Sequence, residues 1–274
     1  MSDTTSTSPP SPARTYQTRH CSRAAKSWAA RKAHAEAHNT WISTFFANNT
    51  VSVKTKGKVE RWIIGAQIGS EKEHRDEKDT DWPYDASAVV ECTSRESNGE
   101  STHAIAKIYM QIPYYTEEHG QTSSHRKTPS FIIDEIRALK RMSRLGHNAP
   151  GPQLLGSRCT QQATDMWVPG GFLSIIVMQK LPGIALTPAI YSSMSSEEQE
   201  DICLAFKCSW ENMTDVLRIH YSDARIRNLL WDGPARKCYI VDYEVASFLP
   251  EEGDCTFWPE VYVAWGLKRP RMYG

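Results

Sequence analysis

From residue 58 onward, apolar and polar positions alternate in runs of strand length. Arg61–Ile68 (RWIIGAQI), Ala86–Thr93 (ASAVVECT) and Thr102–Gln111 (THAIAKIYMQ) are rich in β-branched and apolar residues. The turn-like SRESNGES joins the last two, so the three predict an antiparallel sheet. Glu71–Asp81 is too polar to be buried and predicts a surface loop, as do residues 114–129. Thr128-Pro129-Ser130 predicts a helix start, with Ile132, Ile136 and Leu139 at helical spacing and Gly146 as its stop. Phe172–Met178 (FLSIIVM) predicts another strand. Ser195 and Glu198 form a capping-box pattern ahead of Ile202, Phe206, Trp210, Met213 and Leu217, one face of a long helix. Asn228–Trp231 and Cys238–Val241 read as two short strands about a turn at Asp232-Gly233-Pro234. A β-rich half precedes a helical half, which predicts an α+β chain.

Upstream, residues 1–13 are Ser/Thr/Pro-rich and predict disorder, in a tail extending to residue 18. Residues 19–57 form a basic helical extension whose stretch Arg19–Ala37 carries Arg23, Lys26, Arg31 and Lys32, with Trp28 and Trp41 as anchors. A solvated helix lying on the fold is the favoured reading, and a nucleic-acid or anionic-lipid contact is the other. The remaining boundaries are expected at 58–180 for a β-rich part and 181–274 for a reduced helical part.

Composition narrows the classes. Over 274 residues, 40% hydrophobic and 10% aromatic content suffices for a packed core. Lys+Arg and Asp+Glu both number 32, so no global charge favours nucleic acid or an anionic membrane as partner. Seven scattered cysteines without a CxxC pair argue against a zinc site or disulfide framework, and fit reduced thiols in the cytoplasm or nucleus. The N-terminus lacks the pattern of a secretory signal, and no run approaches the roughly 18 apolar residues of a spanning helix. The nine histidines do not cluster at metal spacing, and His34 and His38 read as solvated helix positions. Trp258–Tyr262 reads as packing against the helical part.

The candidate chemistry lies in His220-Tyr221-Ser222-Asp223-Ala224-Arg225-Ile226-Arg227-Asn228, followed by the apolar Tyr239-Ile240-Val241 ending in Asp242. Phosphoryl transfer needs a carboxylate beside the attacking hydroxyl and hard oxygen ligands that hold Mg²⁺ across phosphates. Asp223 and Asn228 on one loop, with Asp242 at a strand end, offer that set. Lys107, inside Ala104-Ile105-Ala106-Lys107-Ile108, is either a solvent-facing strand residue or a buried phosphate ligand. Glu135 on the next helix favours the ligand, with Asp134 the next-best partner.

These segments resemble the protein-kinase-like superfamily. Ala-Ile-Ala-Lys107 looks like the Val-Ala-Ile-Lys strand, and Glu135 is similar to the helix glutamate that pairs with that lysine. Asp223 and Asn228 resemble the catalytic-loop pair, Arg225 stands at the catalytic-loop lysine, and Asp242-Tyr243-Glu244 resembles Asp-Phe-Gly. Ile176–Gly183 resembles the hinge of aminoglycoside- and choline-kinase-like proteins, placing Gln179 and Leu181 at the adenine. The loop is most similar to that of fungal kinase-like families, over residues 60–250. The likeness implies a two-lobed kinase-like fold with an antiparallel β N-lobe and a reduced helical C-lobe. It also implies ATP and Mg²⁺ as cofactors, a hydroxyl acceptor, Asp223 as base, and Asn228 and Asp242 as metal ligands. The pattern departs in places. Tyr221 and Ser222 replace His and Arg before Asp223, and Gly65 and Gly69-Ser70 are a thin substitute for a glycine-rich loop. Only 32 residues follow Asp242, without Ala-Pro-Glu, so a small-molecule acceptor is favoured over a protein. A pseudokinase scaffold that binds without turnover is the alternative.

Overall fold

The computed structural model describes residues 17–55, 57–74, 84–95, 100–116, 120–122, 126–252 and 255–269. Helices α1 (Gln17–His38) and α2 (Ser43–Phe46) lead into β1 (Thr50–Thr55), β2 (Lys58–His74), β3 (Asp85–Arg95) and β4 (Ser101–Gln111). A small hairpin, β5 (Tyr114–Thr116) and β6 (Gly120–Thr122), precedes α3 (Ser130–Met142), β7 (Leu154–Gln161) and β8 (Phe172–Gln179). Then follow β9 (Ile184–Ala185), α4 (Pro188–Ser193), α5 (Ser196–Glu211), β10 (Ile219–Tyr221), β11 (Leu229–Asp232), β12 (Lys237–Ile240), β13 (Ala246–Phe248) and α6 (Pro259–Ala264). The chain is mixed α/β with antiparallel sheets.

The large sheet closes into a six-stranded barrel in the order β1-β2-β3-β4-β8-β7, with Lys54 opposite Ser157 at the seam. The barrel was not predicted: β1 falls within the segment read as a helical extension, so the sheet begins before residue 58. Closure needs a close approach at the seam. A Cβ on Gly156 of β7 would lie 2.6 Å from both Val53 Cγ2 and Thr55 Oγ1, so a larger residue would push β1 away.

Two apolar cores flank the barrel wall. One fills its interior with Ala104, Ala106, Ile108 and Met110 of β4, and includes Trp41, Ile42 and Trp167. The other joins Tyr109 and Ile176 to α3, α5 and the C-terminal segments. Even-numbered β4 residues therefore fill the barrel while Lys107 and Tyr109 face outward onto α3, as the two-residue strand period requires.

Strand β2 changes face along its length. Trp62 and Ile64 are buried in its first half and Glu71 in its second. Between the pairs Ile64↔Cys92 and Gln67↔Val90, β2 advances three residues while β3 advances two. One extra residue reverses which parity points inward. A second irregularity follows between Ile68 and Lys72, containing Gly69 at φ 74°. It adds an even number of residues and keeps the new parity. Lys72 and His74 consequently share the outer face with their partners Ser87 and Asp85, and with Lys107 and Tyr109 beyond.

Several local expectations need correction. Glu71 falls in the segment expected to be a loop too polar to bury, yet it is 3% exposed, because its carboxylate accepts from the amides of Ile42 and Ser43, each at 2.8 Å. β2 runs on to His74, and residues 75–81 of that loop lie outside the described residues. Within 114–129, β5 and β6 interrupt the expected loop. Helix α3 has Pro129 as N-cap with no side-chain cap, so neither Thr128 nor Ser130 caps it. It ends at Met142, before Gly146. Of the predicted tail, residues 1–16 lie outside the description, and α1 already includes residues 17 and 18. Within α1, Lys32 is buried and bonds Glu36 at 3.2 Å, so not all of its basic residues face solvent. His34 and His38 stack at 4.2 Å and stay exposed.

Candidate functional site

Lys107 is the hub of a polar cluster on the outer wall of the barrel. At 4% exposure, its ammonium reaches Glu135 Oε1 at 3.1 Å, Asp242 Oδ1 at 2.6 Å and Glu244 Oε2 at 3.4 Å. The expected Lys107–Glu135 pair thus forms, while Asp134 turns to Arg137 at 3.8 Å. Glu135 belongs to the buried stripe of α3, between Ile132 and Leu139, which brings it to the wall. Its second oxygen accepts from the Tyr109 hydroxyl at 2.6 Å. Tyr109 lies two residues beyond Lys107 and so on the same strand face. That signal was present in the sequence, though the tyrosine was not singled out.

Burial disfavours the Lys107 ammonium, but Glu135, Asp242 and Glu244 outweigh it and hold its pKa well above 10.5. Asp242 is the counterpart. Burial pushes its carboxyl up, and Lys107, then Lys72 at 3.7 Å, overcome that and bring it below 3.8. Both groups stay charged at neutral pH. Asp242 also has φ 68°, a left-handed backbone that favours glycine or asparagine and that a well-packed surround must hold in place.

The loop carrying Asp223 is tied to Asp242 through Tyr221. The buried Tyr221 hydroxyl faces the carbonyls of Val241 and Asp242, each at 2.9 Å, and accepts from Asn228 Nδ2 at 2.8 Å. Asn228 Nδ2 also contacts Asp223 Oδ2 at 3.2 Å, and Arg225 Nε lies 2.5 Å from Asp223 Oδ1. Asn228 and Asp242 lie on adjoining segments, Val241 N donating to the Asn228 carbonyl at 2.9 Å, and the two Asp242 carboxylate oxygens face Lys107 and Lys72. Among the described residues, no three His, Cys, Asp or Glu side chains form a metal cage. Magnesium carried on phosphates does not need one, since one or two protein oxygens suffice.

Of the other expected residues, Gly65 and Gly69 lie in β2, and Gln179 and Leu181 at and after the end of β8. Gly65 sits in β2 at the first irregularity, where a Cβ would meet the Glu91 carbonyl at 3.3 Å, and Gly69 sits in the second. Both shape the strand. Gln179 ends β8 with its amide donating to the Gln153 carbonyl at 2.9 Å, and Leu181 follows half-buried.

Two contributors, His74 and Asp85, had no readable signal. His74 Nδ1 lies 3.0 Å from Asp85 Oδ2, and His74 Nε2 lies 3.7 Å from Glu244 Oε1. These contacts depend on the register of β2 against β3, which residue identity alone does not specify. His74, Phe131, Asp223, Arg225 and Glu244 line a cleft of about 460 Å³. Cys92, Cys159, Cys203, Cys208, Cys238 and Cys255 are free, and no described helix is long and apolar enough to cross a membrane. No family model and no curated protein matches the chain.

Proposed function

We propose that the chain is an ATP-dependent phosphotransferase of the protein-kinase-like superfamily, binding Mg-ATP between a β-rich and a helical lobe and transferring phosphate to a hydroxyl acceptor. One observation carries the reading. A buried lysine on β4 is bound by a glutamate of α3 and by an aspartate after β12, and that aspartate's backbone is tied to the Asp223–Asn228 loop. Such a cluster gathers segments up to 135 residues apart.

In this reading Lys107 binds nucleotide phosphates and Glu135 orients it. Asp223 sits in the cleft as the base that takes the acceptor's proton, and Arg225 beside it faces the transferred group. Asn228 and Asp242 fit magnesium through their oxygens, and Gln179 and Leu181 border the adenine. Magnesium, when bound, neutralises charge on the phosphate oxygens. The acceptor is a hydroxyl compound, with a small molecule favoured over a protein.

The test uses the full chain in two assays. Mg-ATP at about 100-fold its dissociation constant stabilises a binding protein by about 2.7 kcal/mol in thermal unfolding. Asp242→Asn is expected to abolish that magnesium-dependent shift. Asp223→Asn is expected to keep it while lowering ATP turnover, with a panel of hydroxyl acceptors, by roughly 10²–10⁴-fold. Binding without turnover in the wild type leaves the scaffold reading. No shift with Mg-ATP removes both.

A further inference from the structure

His74 occupies an unusual position: it lines the same cleft as Asp223 and Arg225, yet its ring is held from behind by a carboxylate with no exposure. His74 and Asp85 are a directly opposed cross-strand pair, so the 3.0 Å contact from Nδ1 to Asp85 Oδ2 follows from the register of β2 and β3. Asp85 is 0% exposed, and among the described residues its Oδ1 has no hydrogen-bond partner. Burial pushes the Asp85 carboxyl up and the His74 contact opposes that shift, so a protonated His74 would be its counter-ion. A buried carboxylate without a partner is strongly unfavourable, so Asp85 favours an imidazolium.

With Nδ1–H on Asp85, Nε2 faces Glu244, whose other oxygen contacts Lys107 at 3.4 Å. One carboxylate therefore spans the lysine proposed to hold phosphates and the histidine in the cleft. The strand holds this position from its opposite face. Glu71 accepts from the amides of Ile42 and Ser43, and Glu73 accepts from the Trp41 indole, while Lys72 and His74 alternate onto the site side.

We propose that His74, oriented by Asp85, is a ligand for the terminal phosphate of the nucleoside triphosphate, supplying from a side chain what a glycine-rich loop supplies from its backbone. This rests on the phosphotransferase reading and adds a residue to it. The charged groups around the ring belong to the site: Asp85 on β3, Glu244 after β12, Lys72 on β2, and Asp223 and Arg225 across the cleft. The hydrogen bond to Asp85 raises the pKa of His74 above 6.5; burial opposes it, the charges of Asp85 and Glu244 assist, and Lys72 opposes. The imidazole is thus charged below its folded pKa and neutral above it.

The test titrates the full chain with Mg-ADP and with a non-hydrolysable Mg-ATP analogue. His74→Gln should weaken the triphosphate by about tenfold, the scale of a charge-assisted hydrogen bond, and change ADP by less than about twofold. A melting curve establishes that the variant folds. The wild type provides a test needing no substitution. Its preference for triphosphate over ADP should fall as pH rises through the His74 titration, which lies above that of a free imidazole. A preference independent of pH, or a folded His74→Gln with unchanged preference, overturns this proposal while leaving the phosphotransferase reading intact. Absence of binding by either nucleotide at every pH overturns both.

Discussion

At the scale of single residues, the site is governed by the cost of burying charge. Lys107 is almost without solvent, and Glu135, at 1% exposure, is its closest wholly buried partner. Removing one member of such a pair leaves the other charged and desolvated, which costs about 3–5 kcal/mol. Lys107→Met is therefore expected to lose about that much in urea unfolding, a large share of the roughly 5–15 kcal/mol of a typical domain. Adding Glu135→Gln should recover part of it, since the most buried stranded carboxylate is gone and Tyr109 can still donate to the amide oxygen, while Asp242 and Glu244 still lack their lysine. If the single variant unfolds like wild type, Lys107 and Glu135 are not paired as described. Lys107, Glu135 and Asp242 stood out as ionisable residues on an apolar strand, a helix stripe and a strand end, while Asp223 and Asn228 stood out by their spacing on one loop. His74 and Asp85 were not. They sit in polar surroundings, and only strand pairing brings them together.

At the scale of elements, β2 is the segment where sequence pattern and structure part most. Its apolar half was readable, but the parity switch that puts Glu71 inward and His74 onto the site lies in a bulge around Gly65 and Ala66. Deleting Ala66 should remove the extra residue and return residues 67–74 to the original parity. Glu71 would then leave the amides of Ile42 and Ser43, and Lys72 and His74 would turn toward the barrel. A stability loss of at least about 2 kcal/mol in denaturant, the scale of stranding buried polar groups, is expected together with loss of Mg-nucleotide binding. A deletion variant with wild-type stability would mean that the bulge does not set the face. Helix α5 illustrates a lesser divergence. Ser195 accepts from the Glu198 amide at 3.1 Å as the capping box predicts. The Glu198 side chain instead accepts from Trp231 Nε1 at 3.1 Å, a tertiary partner replacing the local one.

At the scale of the whole molecule, the N-terminal helices belong to the barrel side. Trp41 is 1% exposed, packs edge-on to Trp167 at 5.4 Å, and accepts from the Trp167 indole through its carbonyl at 2.8 Å. Trp41→Ala is expected to cost about 3–5 kcal/mol in chemical unfolding, the range for emptying a core of a large aromatic. It should also weaken Mg-nucleotide binding, because the Trp41 indole bonds Glu73, which neighbours both Lys72 and His74 on β2. Lost stability with unchanged affinity would show that the extension is structural alone. The Trp28 and Trp41 anchors were readable in the sequence. That Trp41 would meet Trp167, 126 residues away, was not.

By itself the sequence determined the mixed composition of strands and helices, the faces of α3 and α5, and which charged residues stand in apolar surroundings. Those properties follow from local periodicity and from the desolvation cost attached to each residue type, both of which act without knowledge of distant partners. The tertiary structure alone decided that the sheet closes through β1, that a bulge reverses β2, and that Glu71 is buried rather than solvated. It also decided that Lys107 meets Asp242 across 135 residues of chain. These outcomes depend on strand order and register, which are chosen by the total burial and hydrogen bonding of competing pairings. A segment's own residues do not carry that comparison.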